Sequence, residues 1–85
     1  MKVTVLFFAS LRETLGTGRE TLVLPDSVRS AGALREHLCL RGPTWQQALG
    51  GGRPVRVAVD QVMVGPEAPL AEGVEVAFFP PVTGG

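Results

Sequence analysis

The sequence predicts an α+β domain, a mixed β-sheet with one main helix packed on one face. Three observations predict it. Apolar and β-branched residues alternate in Lys2 to Ala9 and again in Val74 to Phe79, near the two ends of the chain. Between them lies one helix-length stripe, Val28, Ala31, Leu34 and Leu38, at helical spacing. The patterned segments run in the order strand, strand, helix and then further strands, so the helix stands alone against the sheet. A single helix cannot cover both faces of such a sheet and must pack on one. A chain of 85 residues, 45% hydrophobic and 19% charged, forms one small domain with enough apolar material for a core.

Each element follows from its own residues. In the first strand, Lys2 to Ala9, the side chains of Val3, Val5 and Phe7 share one side and those of Thr4, Leu6 and Phe8 the other. Ser10-Leu11-Arg12-Glu13 reads as a capping box, with Ser10 accepting from the backbone and Glu13 reaching back. It is expected to open a short helix that Gly16 and Gly18 end. Arg19 to Leu24 is the second strand, antiparallel to the first. Pro25 stops it, and Asp26 or Ser27 is expected to cap a main helix over Val28 to Leu40, weakened a little by Gly32. Gly42-Pro43 terminates that helix. Thr44 is expected to cap another short one, in which Trp45, Ala48 and Leu49 share a face.

Gly50-Gly51-Gly52 beside Arg53 suggests an anion cradle, but no strand, loop and helix follow in the order a phosphate loop requires. It reads instead as a linker from helix to sheet. Val55, Val57 and Val59 alternate with Arg56 and Ala58 in a third strand, and Asp60-Gln61 turns into Val62-Met63-Val64. Leu70 tucks back into the core before a turn at Glu72-Gly73, and Val74 to Phe79 is the last strand. This order matches the β-grasp fold, in which the first and last strands lie side by side and parallel. The folded domain is expected to cover 1–81, with 82–85 as a flexible tail.

Composition narrows the function. Formal net charge is zero and no basic cluster occurs, so nucleic acid is not an expected partner. Cys39 is the single cysteine, which excludes an internal disulfide and fits a reducing, cytoplasmic compartment. The opening apolar stretch is interrupted by Arg12-Glu13 and reads as a strand rather than a signal peptide, and nothing approaches a membrane span. His37 is the lone histidine and lies two residues from Cys39, so the two face different ways on a helix and form no base–nucleophile pair. They are too few to hold a metal. Asp60, Glu67, Glu72 and Glu75 are scattered acids. The domain is not expected to turn over a substrate on its own.

The end of the chain carries the strongest signal. If Val3, Val5, Phe7, Val74, Val76 and Phe78 face the helix, then Phe8 and Phe79 lie together on the uncovered face. An exposed aromatic pair there predicts a docking patch, unless loops cover the rings. Pro80-Pro81 then fixes the backbone toward polyproline II geometry. Val82 to Gly85 would extend on the order of 12–14 Å beyond it. Gly84 and Gly85 have no Cβ, so this tail suits a narrow channel in another protein. The plain alternative is a frayed terminus.

These residues also resemble a known family. Gly73-Val74-Glu75-Val76-Ala77-Phe78-Phe79-Pro80-Pro81-Val82-Thr83-Gly84-Gly85 resembles the ending of the MoaD family, the small subunits of molybdopterin synthase among the ubiquitin-like sulfur carriers. Leu6-Phe7-Phe8-Ala9 with Leu11-Arg12-Glu13 resembles the family's opening, and Val57-Ala58-Val59-Asp60-Gln61 its middle strand and turn. The sequence departs from the pattern at Asp60, where the family usually has Asn, and at Val74, where it often has Asp. The resemblance implies that an E1-like, MoeB-like enzyme uses ATP to adenylate Gly85, with Gly84 beside it. A persulfide donor then leaves a thiocarboxylate there. It implies docking on a MoaE-like large subunit in a heterotetramer and sulfur donation to cyclic pyranopterin monophosphate, forming the dithiolene of molybdopterin. The chain itself would bind no cofactor. Phe8, Arg12, Phe79, Pro80, Pro81, Val82 and Thr83 would meet the partners. Related carriers for thiamine synthesis or tRNA thiolation share the fold and the tail, and an adaptor with an inert tail is a further alternative.

Overall fold

The computed structural model describes residues 1–81. Five strands form one sheet in the order β2-β1-β5-β3-β4. They are β1 (Lys2–Phe7), β2 (Arg19–Val23), β3 (Arg56–Val59), β4 (Val62–Val64) and β5 (Glu75–Phe79). The central pair, β1 and β5, runs parallel with Val5 opposite Val76 and Phe7 opposite Phe78. The β1–β2, β3–β4 and β3–β5 pairs are antiparallel. The sheet is therefore mixed, and the first and last strands are neighbours, as the element order predicts.

The register sorts side chains between the faces. Val3, Val5, Phe7, Val57, Val76 and Phe78 point into one buried cluster with Leu11, Leu34, Leu38, Leu49 and Leu70. Two helices supply its cover, α2 (Ala31–Cys39) and α3 (Pro43–Leu49), and α1 (Ala9–Leu15) closes one end through Leu11. Phe7 and Phe78 stack at 6.0 Å between ring centroids, and Trp45 meets Phe7 edge-on at 5.5 Å. Burying a large apolar side chain of this kind contributes about 1.5–3 kcal/mol, so these rings are central to stability.

Three helix starts differ from expectation. The main helix begins at Ala31, where Ser30 caps it by accepting from Ala33 N at 3.1 Å, so neither Asp26 nor Ser27 is the cap. Residues 28–30 are drawn out of the helix by the later loop. Leu70 N donates to Arg29 O at 2.8 Å and Ala31 N to Ala68 O at 2.9 Å, while Ser30 bridges Pro69. Gly32 sits where this loop crosses, and a Cβ there would lie 3.0 Å from the Pro66 carbonyl oxygen. Its absence of a side chain permits the crossing at some cost to helix propensity.

The capping box at Ser10 does not form. Helix α1 starts two residues earlier with Phe8 as its N-cap, and no side chain caps it. Helix α3 starts at Pro43 after Gly42, so Thr44 lies inside it. A proline there loses no helical hydrogen bond, because the first N–H groups of a helix have no internal acceptor.

The glycine run is held from two sides. The Arg35 guanidinium donates to the carbonyls of Leu49, Gly50 (2.9 Å) and Arg53 (2.7 Å), and Arg53 Nε donates to Gln47 O at 2.7 Å. This fastens the end of α3 and carries the chain into β3, as a linker would. Asp60 and Gln61 both have positive φ, 47° and 70°, and form the tight turn between β3 and β4. The Asp60 carboxylate accepts from Glu75 N at 2.9 Å.

Candidate docking surface

The same register that buries Phe7 and Phe78 places Phe8 and Phe79 on the opposite face. The two outer rings stack at 4.8 Å between centroids with planes 4° apart. Phe8 remains 40% exposed, and Phe79 is half-buried. No loop of the described residues covers Phe8. Phe8 N donates to Phe78 O at 3.2 Å, which extends the central ladder by one residue and fixes where its ring emerges.

Antiparallel pairing adds neighbours that the sequence pattern does not assign to this surface. Arg56 stands opposite Phe79, Ala58 opposite Ala77, and Met63 opposite Ala58. Two buried alanines make a low floor beside the rings, and Met63 is exposed at its margin. Phe8, Ala9, Arg56, Met63, Phe79 and Pro80 line a concavity of about 330 Å³. The alternation of Arg56 with Val57 carries the signal, but it needs the strand register to be read.

Pro80 also borders a second concavity, of about 270 Å³, on the helix side. There it meets Pro81, Leu11, Ala48, Arg53 and Val55. The chain therefore leaves β5 between two recesses. Arg12 is exposed and lies apart from the aromatic pair, along Gly18 in a recess that also includes Ala9 and Glu13. Of the residues expected to meet partners, the structure gathers Phe8, Phe79 and Pro80, puts Pro81 next to them, and leaves Arg12 to one side. Val82, Thr83, Gly84 and Gly85 lie outside the described residues.

Among the described residues, none near the patch forms a nucleophile–base pair. Cys39 is half-buried on α2, and its thiol donates weakly to Trp45 O at 3.8 Å. Burial pushes the thiol pKa up; the Arg35 charge opposes this and Glu36 adds to it. A thiol held protonated is a poor nucleophile. His37 is half-buried on the same helix. Among the described residues, no group of three or more His, Cys, Asp or Glu side chains is placed to hold a metal ion. None of the described helices is long and apolar enough to cross a membrane.

Comparison with known proteins places this arrangement in a class. The fold is that of the ubiquitin-like β-grasp proteins. The small archaeal modifier SAMP1 of Haloferax volcanii superposes with a TM-score of 0.82 over 100% of both chains at 23% identity. The complex of subunits 1 and 2 of the molybdopterin-converting factor from Helicobacter pylori contains the same fold, with a TM-score of 0.69 over 100% of both chains at 22% identity. In sequence, the ThiS family model matches residues 5–85. The molybdopterin synthase sulfur carrier subunits of Haemophilus influenzae and Escherichia coli are 43% and 46% identical over 98% of this chain and 99% of their own length. The chain belongs to the ThiS family, within its molybdopterin synthase sulfur carrier branch.

Proposed function

We propose that this chain carries sulfur on the carboxyl group of Gly85 and delivers it within a molybdopterin synthase. The observation that carries the reading is the exposed Phe8–Phe79 stack directly beside the point where the chain leaves the sheet. A partner docked on those rings meets the departing tail with its own active site. The solved Helicobacter pylori complex joins subunits 1 and 2 of the converting factor, and by analogy the partner here is a large synthase subunit, in a heterotetramer.

The chemistry divides between proteins. An adenylating enzyme brings ATP, and the Gly85 carboxylate attacks its α-phosphorus, releasing pyrophosphate and leaving an acyl-adenylate. A persulfide sulfur then adds to that carbonyl and AMP departs. Cleavage of the S–S bond by a thiol or another reductant leaves the thiocarboxylate and the donor in thiol or disulfide form. In the synthase, the thiocarboxylate sulfur bonds to a side-chain carbon of cyclic pyranopterin monophosphate as an oxygen substituent leaves that carbon. Water then hydrolyses the thioester so formed, leaving sulfur on the pterin and freeing the Gly85 carboxylate for another cycle. Two deliveries supply both sulfurs of the dithiolene. The chain needs no cofactor of its own in this scheme, and its single cysteine suits the cytoplasm. It contributes a handle and an unencumbered end, while the basic groups come from its partners.

The test is loading with the adenylating enzyme, ATP and a sulfur donor, followed by intact-mass spectrometry. The expected result is one oxygen exchanged for sulfur. Deleting Gly85, or adding a residue after it, is expected to abolish loading while the circular dichroism spectrum and melting temperature stay those of the parent. Loading that survives the added residue would contradict the reading.

A further inference from the structure

We propose that Ala9 is a positioning residue for docking: its left-handed backbone holds the Phe8 ring against Phe79 before a partner arrives. The inference rests on the docking reading above. Ala9 has φ 51°, in the region that an L side chain enters at a cost and that glycine, asparagine and aspartate visit more freely.

The strain has a structural origin on both sides. Phe8 follows the last residue of β1 and is still extended, at φ −116° and ψ 156°, with its N–H on the Phe78 carbonyl. Its own carbonyl already belongs to α1, accepting from Leu11 N at 3.1 Å and Arg12 N at 3.4 Å. One residue thus makes the last hydrogen bond to β5 and caps a helix. The whole change of direction falls on Ala9. The turn at Ala9 brings Leu11 N and Arg12 N back onto the Phe8 carbonyl, so the Phe8 backbone is held from the helix side as Phe78 holds it from the sheet side. A backbone held at both ends fixes the direction in which the ring leaves it, and that ring lies within 4° of parallel to Phe79.

A glycine would make this turn without strain. It would also open a wide range of backbone conformations to the junction, where alanine leaves only a narrow left-handed well. The strained residue stands at the rim of the docking concavity itself, and strain of this kind is retained where preorganisation matters. The rigid ring pair loses less freedom on binding, which is what preorganisation contributes to affinity.

The experiment uses the full chain and the large subunit of a molybdopterin synthase. Binding is measured by calorimetry for the parent, Ala9→Gly and Phe8→Ala, with melting temperatures and the nuclear Overhauser contacts between the Phe8 and Phe79 ring protons. For Ala9→Gly the expected outcome is an unchanged or higher melting temperature, weaker contacts between the rings, and affinity reduced about three- to tenfold, as when one side chain must be immobilised on binding. Phe8→Ala is expected to lose at least as much. If Phe8→Ala weakens binding while Ala9→Gly binds like the parent, the positioning role is wrong and the docking surface stands. If both variants bind like the parent, the docking reading fails and takes this one with it. A loss of affinity in Ala9→Gly that only follows a lower melting temperature also overturns the proposal.

Discussion

Phe7–Phe78 and Phe8–Phe79 are two aromatic pairs at the adjoining ends of β1 and β5, one residue apart. The inner pair is almost wholly buried, stacked at 6.0 Å and locked by the edge of Trp45. The outer pair stacks more closely, at 4.8 Å, yet leaves Phe8 open to solvent. Chemistry and row are the same, and only the face differs. The difference shows how a small domain divides its work. Helices α2 and α3 take one face and make it the core, which leaves the other face as surface that a partner can use. Aromatic side chains serve both purposes because a large apolar area contributes to a core and to an interface alike.

The largest effect expected from this comparison is on the inner pair. Phe78→Ala removes a ring that is 1% exposed at the centre of the cluster. The expected loss is about 3–5 kcal/mol, read from urea unfolding. That is a large share of the roughly 5–15 kcal/mol that holds such a domain folded. A loss under about 1 kcal/mol would mean that the inner pair is not central to the core.

Phe79→Ala tests the other half. Removing the stack with Phe8 is expected to cost the fold about 0.5–1.5 kcal/mol. The affinity for the large subunit should fall by more than about tenfold, the scale of an interface anchor. Calorimetry on the purified pair separates the two quantities. A steep drop in melting temperature with parental binding would exchange the roles of the pairs and remove the basis for docking on this face.

Much of this contrast is legible in the sequence. The alternation in Val3, Val5 and Phe7 and in Val74, Val76 and Phe78 is a local pattern, and strand geometry turns it directly into two faces. The parallel β1–β5 pairing follows from the order of elements. Other features are not local. Arg56 and Met63 join the outer pair only through the register of β3 with its neighbours. Ser10 and Glu13 match a capping box, yet α1 starts two residues earlier with Phe8 at its N-cap, because the Phe8 carbonyl, next to an N–H already bonded to Phe78 O, takes the first helical hydrogen bonds after the turn at Ala9. Helix α2 starts later than its sequence suggests for a similar reason, since contacts from residues 66–70 override the local preference of Asp26 and Ser27. Propensity is a weak prior wherever tertiary hydrogen bonds compete for the same backbone. The tail, Val82 to Gly85, is chemistry read from sequence and lies outside the described residues.

The cap of α2 gives the smallest effect and the sharpest control on the division between faces. The sequence suggests Asp26 or Ser27 for the role, but Ser30 is at the N-cap, with its hydroxyl accepting from Ala33 N. Ser30→Ala is therefore expected to cost about 1 kcal/mol in urea unfolding. Ser27→Ala, which removes an exposed hydroxyl outside the helix, should stay within about 0.5 kcal/mol. Because α2 packs on the inner face, neither change should alter binding to the large subunit beyond its effect on the folded fraction. If Ser27→Ala proved the more costly, the helix would start where the local sequence first suggests. If Ser30→Ala weakened docking in a fully folded protein, the two faces would be coupled through the sheet, and the two phenylalanine pairs would not have separate roles.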